Sequence, residues 1–504
     1  METVKSLFER LQYDENRLAA LLDGKTYLVN VKPTTLKGII TAQDIALLFA
    51  CFDTQNEEQI SAVIFILKLL LPIVDVGAKL EVLSQNLWNG LNHSNSSVQH
   101  LCLGELRECC VTNIGNRALM EGKNVIAKVI ELIGDDDMSI AHSAVQFLSD
   151  FASYSINAAK FLLQGELLEK FQAVMRKNDN VRYRGYDVIV KIQSKSIEHL
   201  SVCDSSGLLR NLVNELMGDD VLIKVVCVST LSEMALRKHS LQYLNKNGVV
   251  NKLISMITNA ASDPLADLYM PEIVKFFGKM SYQEGPQHVI QIFPQFLDTL
   301  FSLVDEFDLV KKKIGIETLG FIGQSMEGKN VLAKEGNRSK AAVTEIGKII
   351  CTEGSDLRLI SINAMCQLLD IAPLDQTEDI VALLARWFRC ISSSPIDAIL
   401  FLCRQPFTSV KCAGFHLIKT IAKLEFGMAA MVEFPTFVEF ILDRSSDNNK
   451  ESKDARFEAV KAIAESPQCM HIFGNNNYLK FRSYVLEGPL YEEMVSPEVA
   501  METS

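Results

Sequence analysis

The residues closest to a chemical signature are Gly323-Gln-Ser-Met-Glu-Gly328-Lys329-Asn330. The spacing G-x-x-x-x-G-K is that of a phosphate-binding loop, in which Gly-rich backbone wraps phosphates, Lys reaches them and Ser or Thr holds magnesium. Here Asn330 stands where Ser or Thr is needed, and the preceding GIETLGFIG reads as helix rather than strand. A helix-to-helix turn with two glycines accounts for the pattern. MEGKNVIAK (120–128) recurs nearly verbatim as MEGKNVLAK (326–334), in a different register of the surrounding repeat. That points to shared composition rather than a shared site.

Other candidate residues are weaker as chemistry. None of His93, His100, His142, His199, His239, His288, His416 and His471 has a carboxylate or Cys at a spacing that implies a triad or a metal. His93 and His100 sit in LNHSNSSVQ, a loop entering a helix, and read as solvent-facing. Asp135-Asp136-Asp137 precedes a helix, where a carboxylate faces the positive end of the dipole. A solvated cap is the stronger reading there and a calcium site the weaker. Lys311, Lys312 and Lys313 lie on a helix that the repeat places near a groove, and a solvated face explains them best. In NVRYRGY (180–186), Val181 and Gly185 take core positions, so Arg182 and Tyr186 share an outward face one turn apart. Arg and Tyr often anchor interfaces, but the same pair could form an Arg–Tyr stack that merely covers the helix. Arg182, Tyr186, Lys311, Lys312 and Lys313 are therefore the partner-binding candidates. No catalytic, cofactor-binding or metal-binding residue emerges.

Bulk properties narrow the class. A chain of 504 residues is too long for one ordinary core, so several domains or a repeat array are expected. The formal net charge of −12 argues against nucleic acid, whose phosphates are bound by Lys and Arg, and favours partners with basic surfaces. The twelve cysteines sit within apolar periodic segments such as LCLGEL and VVCVST, without a C-x-x-C pair. Used in that way, Cys is a small buried hydrophobe of a reducing compartment. The first residues, METVKSLFERLQYDENRL, carry charges throughout and do not read as a secretory signal. The run Ala62 to Val74, broken by Lys68 and Pro72, is shorter than the ~20 residues a membrane span needs. A soluble cytoplasmic protein follows, with the nucleus open to it.

An internal repeat supplies the elements. An aliphatic residue, a small residue four later and an aliphatic four after that fall on one helix face. Val98, Cys102 and Leu106 form the first clear case. Ile140, Ala144 and Leu148; Val181, Gly185 and Ile189; and Ile223, Cys227 and Leu231 follow at steps of 42, 41 and 42 residues. Leu357, Ser361 and Met365, then Val410, Gly414 and Ile418, then Ala455, Ala459 and Ile463 continue it, and Gly315 and Leu319 match one residue out of register. Glu58, Ala62 and Ile66 fill the first slot, and SDPLADLYMPEIVKFFGKM, with two prolines, fills the slot near residue 268. A second pattern follows the first: a helix, then a Gly shortly before a new apolar run, as in AAKFLLQGELLEKF (158–171), LQYLNKNGVVNKLISMI (241–257) and NVLAKEGN (330–337). Gly there suits a helix C-cap in left-handed conformation. The expectation is an all-α protein, an armadillo/HEAT-type right-handed superhelical solenoid of about ten helical repeats. It divides into an N-terminal helical cap (1–55), repeats (56–466), a C-terminal helical cap (467–491) and a disordered tail (492–504).

Ordered motifs then point to a family. VRYRGYDVIVKI, LYMPEIVKFFGKM (268–280), LGFIGQSMEGKNVL (319–332), SKDARFEAVKAIA (452–464) and FGNNNYLKFRSYVLEGPLY (473–491) resemble the 26S proteasome non-ATPase regulatory subunit 5 family, in the same order from about residue 90 to about 491. The resemblance implies a helical-repeat chaperone for assembly of the 26S proteasome, specifically the base of the 19S regulatory particle. It implies binding to AAA ATPase subunits of the base, through a small C-terminal domain of the ATPase, and to a base non-ATPase scaffold subunit. It also implies departure before the mature proteasome forms, and it carries no catalytic residue or cofactor. A monomer when free, with no nucleic-acid or membrane partner, is expected. The alternative is a general armadillo-repeat adaptor unrelated to the proteasome. Cargo carriers of that kind present Trp/Asn ladders, and only Trp88 and Trp387 exist here. A nucleotide hydrolase built on Lys329 is a third and weaker reading.

Overall fold

A computed structural model describes residues 8–11, 17–29, 31, 33–352, 354–446 and 449–489. The tail expected over 492–504 lies outside them. Among the described residues there is no strand, only an isolated bridge between Lys37 and Ile40. The chain is all-α and forms two compact units, 1–219 and 220–504.

Ten spine helices carry the repeat. In the first unit they are α1 (Glu57–Leu70), α2 (Ser96–Cys110), α3 (Met138–Tyr154) and α4 (Asp179–Gln193). In the second they are α5 (Val221–Ser232), α6 (Ala266–Glu284), α7 (Leu309–Gly323), α8 (Ser355–Leu369), α9 (Thr408–Ile421) and α10 (Lys450–Glu465). Within each unit every spine helix packs on the next. That succession makes each unit a solenoid of the armadillo/HEAT kind.

Local chemistry sets where the spine helices start. Asn56, Asn95, Asp137, Asn178, Asp220, Asp308 and Asn449 each stand one residue before a spine helix, with the side-chain oxygen accepting from a first-turn N–H. Such a cap contributes about 1 kcal/mol. Each fully buried aliphatic or Phe side chain contributes roughly 1.5–3 kcal/mol, and α3 alone buries Ile140, Val145, Phe147, Leu148 and Phe151. Caps therefore set boundaries, while burial between neighbours holds the stack.

The segment after each spine helix is split in two. After α3 come Ile156–Leu162 and Gly165–Met175, and after α5 come Lys238–Lys246 and Val249–Asn259. In four repeats the break falls on a glycine in the left-handed region, Gly165, Gly207, Gly248 or Gly336, with φ of +59°, +79°, +75° and +53°. Of the glycines expected to end helices, Gly248 and Gly336 follow one, while Gly165 opens the next helix. Each repeat thus has three helices, one more than a helix–turn–helix reading supplies, and in most repeats the third helix packs chiefly on the spine helix of the next.

The small position in the stripe has a definite neighbour. A Cβ on Gly315 would lie 2.7 Å from the Val304 backbone nitrogen and 2.8 Å from the Leu303 carbonyl carbon. Gly185 meets the Met175 side chain, and Gly414 meets the Sγ and backbone nitrogen of Cys403. In all three cases the spine helix seats the C-terminal end of the preceding repeat's third helix. Near residue 268 the two prolines are accommodated: Pro264 precedes α6, and Pro271 lies buried in its second turn. Nine of the twelve cysteines are buried, as Cys102 and Cys227 are within their stripes. Burial pushes the Cys102 and Cys366 thiols up to about 12.

Backbone cannot swing aside as a flexible side chain can. Gly315→Val is therefore expected to lower unfolding stability by about 1–3 kcal/mol, measured by urea titration. A Cβ on Gly104, within α2, would meet nothing within 4 Å; Gly104→Ala is expected to raise stability by about 0.5–1 kcal/mol in the same assay.

Candidate interaction surface

The G-x-x-x-x-G-K segment is a joint between helices. Gly323 ends α7, and Ser325 caps the helix Met326–Lys334 by accepting from the Gly328 N–H at 3.0 Å. A Cβ on Gly328 would overlap the Ile322 carbonyl oxygen, so glycine is required for the close approach. Lys329 is fully buried. Its ammonium donates to the Gly323 carbonyl, and to the Gln367 carbonyl at 3.4 Å. The same joint recurs two spine helices into the first unit. Thr112 caps Asn113–Glu121, Gly115 approaches the Cys109 carbonyl, and Asn116 donates to the Cys110 and Phe151 carbonyls at 3.1 Å each. Lys329 and Asn116 do one job: they satisfy carbonyls at the C-terminal ends of two successive spine helices. No phosphate could reach Lys329 there. The other copy of the motif differs as expected, since Lys123 is exposed and pairs with Glu166.

Tyr186 corrects the reading of NVRYRGY. It is 2% exposed, and its hydroxyl donates to Glu215 Oε1 at 2.7 Å. Tyr183 donates to Glu215 Oε2 at 3.1 Å, and Arg182 Nε lies 3.0 Å from Glu215 Oε1 while its other end pairs with Asp179 at 2.8 Å. The third helix of that repeat, Leu208–Met217, brings Glu215 over the flank that the sequence left open. Arg182 and Tyr186 therefore tie α4 to its own repeat, and Tyr186 is withdrawn from any docking surface.

The three lysines separate. Lys312 donates to Glu345 at 2.9 Å and holds that carboxyl below its ordinary range. Lys313 is exposed and Lys311 half-buried, and neither has an ion pair among the described residues. His93 and His100 do not simply face solvent. His93 accepts from the Asn95 N–H at 3.0 Å through Nδ1, so its Nε2 donates to the Phe52 carbonyl at 3.2 Å. His100 Nδ1 lies 3.0 Å from Ser143 Oγ. Each reaches the neighbouring repeat. Asp137 is the cap of α3, accepting from the Ser139 N–H at 2.8 Å, and Asp135 accepts from the Asp137 N–H at 2.9 Å. Among the described residues no group of three or more His, Cys, Asp or Glu could hold a metal ion, and no helix is long and apolar enough to cross a membrane.

What remains open is the face of the spine helices away from the second and third helices. Ion pairs cross it from repeat to repeat. Arg107 meets Asp150 at 2.5 Å, Lys279 meets Glu233, and Lys419 meets Glu458 at 2.9 Å. These pairs escaped the sequence reading; a Lys or Arg and a carboxylate one repeat length apart is the signal they leave. Lys279 is buried, whereas the Arg107 and Lys419 pairs are partly exposed and contribute under about 1 kcal/mol each, so those two fix register more than stability.

Stacked three-helix repeats with an open charged face define a helical-repeat scaffold of the armadillo/HEAT kind. The chain belongs to the family described as proteasome non-ATPase 26S subunit, whose profile matches residues 1–504. It is 33% identical over 449 residues to the 26S proteasome non-ATPase regulatory subunit 5 of Mus musculus and 32% identical to that of Bos taurus, in each case covering 89% of both chains. The family profile thus includes the first ninety residues, where none of the motifs quoted above falls. Among solved structures, a mutant of Kap121p overlaps 98% of this chain and 57% of its own at 12% identity with a TM-score of 0.41. The fold assignment rests on the helix stacking.

Burial lowers the Lys329 ammonium from 10.5 to about 8, against the opposing pull of Asp370. Between those values the unfolded chain holds the proton more tightly than the folded one, so this group makes stability rise as pH increases. Lys329→Gln keeps a donor and is expected to remove that rise between pH 8 and 10, read by urea unfolding of both proteins. ATP or GTP is expected to leave the melting midpoint of the natural chain unchanged; stabilisation lost in Lys329→Gln would revive the phosphate-loop reading.

Proposed function

We propose that this chain is a non-catalytic chaperone for assembly of the 26S proteasome, acting on the base of the 19S regulatory particle. Membership of the proteasome non-ATPase subunit family along the whole chain carries this reading. The chain would hold an AAA ATPase subunit of the base, beside a base non-ATPase scaffold subunit, and be absent from the mature particle. The open face of the spine helices supports it, because a row of stacked helices offers a broad, firm surface for a folded partner. The acidic balance of the chain favours a partner with a basic surface. Function of this kind requires unequal affinity. A chaperone that bound the finished ring as well as the intermediate would bias nothing, so release follows when ring closure creates competing contacts. The reading places the protein in the cytoplasm, with the nucleus open to it.

Affinity purification of the tagged chain from cells, with cross-linking and mass spectrometry, is expected to recover base ATPase subunits without the proteolytic core, cross-linked to the spine helices. Recovery only with mature, capped proteasomes would sink the proposal.

A further inference from the structure

The register of the first three spine helices of the second unit is set by three contacts. Lys275 of α6 reaches Ser229 Oγ of α5 at 3.4 Å, and Lys279 of α6 bonds Glu233 just past the end of α5. The Lys279 ammonium also lies 5.7 Å from the centre of the Phe321 ring on α7. Carried back toward the N-terminal ends, this register sets Leu222 beside Leu268 and Leu268 beside Val310. All three are open to solvent, at 68%, 48% and 68% exposure. Leu265, Phe307 and Leu309 extend the same apolar surface onto the helix tips, and Phe307 is 96% exposed. Scattered single hydrophobes are ordinary on a surface; a contiguous group across three repeats marks a binding site.

Carboxylates predominate beside the row, against the single half-buried Lys311 on the tip of α7. Asp220, Asp267, Asp305 and Asp308 are exposed along the tips, and none has a cationic partner among the described residues. The opposite flank is mixed, with Glu272 and Lys275 3.7 Å apart on α6 and Lys313 and Glu317 on α7. Spacing then selects the occupant. Neighbouring packed helices lie about 8–10 Å apart, and seven residues of α-helix rise about 10.5 Å. A helix laid along the row meets Leu222, Leu268 and Val310 with residues seven apart on one side. An extended strand matches poorly, because residues about 10 Å apart along it point to opposite faces.

We propose that this face of α5, α6 and α7 docks an amphipathic helix of a partner protein, with apolar residues at a seven-residue spacing and Lys or Arg along the flank that faces the four carboxylates. The inference does not depend on the assembly reading, which rests on family membership, and either can fail without the other.

The probe is a synthetic helical peptide of about 18 residues with Leu at positions seven apart and Arg along one flank, titrated against the full chain by fluorescence anisotropy. Saturable binding is expected, weakened at least about tenfold by Leu268→Asp, and absent for the same peptide with Glu in place of Arg. Leu268→Asp adds a negative charge, so plain attraction between an acidic protein and a cationic peptide would grow stronger in it. Unchanged or tighter binding by Leu268→Asp, equal binding of the Glu peptide, or no saturable binding to the natural chain would each overturn the proposal. Val310→Asp is the second variant, and circular dichroism confirms that both remain folded.

Discussion

Everything in this molecule depends on one constraint: a spine helix carries more apolar surface than its own repeat can cover. α3 buries Phe147 and Phe151 completely, along with Leu148 and Ile140, and these side chains need neighbours on more than one side. Stacking supplies them, and it works only where backbones come close. Gly185, Gly315 and Gly414 each seat the end of the preceding repeat's third helix in a space that a Cβ would fill. Repeat proteins are held by such nearest-neighbour interfaces, so stability is distributed along the stack rather than concentrated in one core.

Close approach of helix ends creates a second problem, because the last carbonyls of a helix lack partners within it. Where two spine helices end near each other, a side chain must donate to both. Asn116 does this with a neutral amide and Lys329 with an ammonium. Burial lowers the proton affinity of that ammonium and Asp370 raises it, and burial prevails. A segment whose residue types suggest nucleotide chemistry is thereby explained by backbone satisfaction.

Much of the scaffold was legible in the chain, because helix stripes and caps are local. Val98, Cys102 and Leu106 are all buried, and Asp137 caps α3 as its place before an apolar run suggested. Gly165, Gly248 and Gly336 break helices where their neighbours implied. Contacts between repeats were not legible. Tyr186 looked outward because a helical wheel shows one helix, and Glu215 comes to it from nearly thirty residues away. His93 looked solvated for the same reason, although its ring bonds Phe52, 41 residues earlier in the chain. The lysines 311–313 looked alike, and only the placement of Glu345 sets Lys312 apart from its neighbours.

By itself the sequence determined the repeat period, the helical class, the helix starts and the family, since each is written in short-range spacing or in motif order. Tertiary structure decided which flanks stay open. Burial of a given residue depends on the helix that packs over it, and that helix arrives from another part of the chain. The third helix of the repeat withdrew Tyr186 from the surface, and the register between α5, α6 and α7 gathered Leu222, Leu268 and Val310, residues more than forty positions apart, into one exposed row.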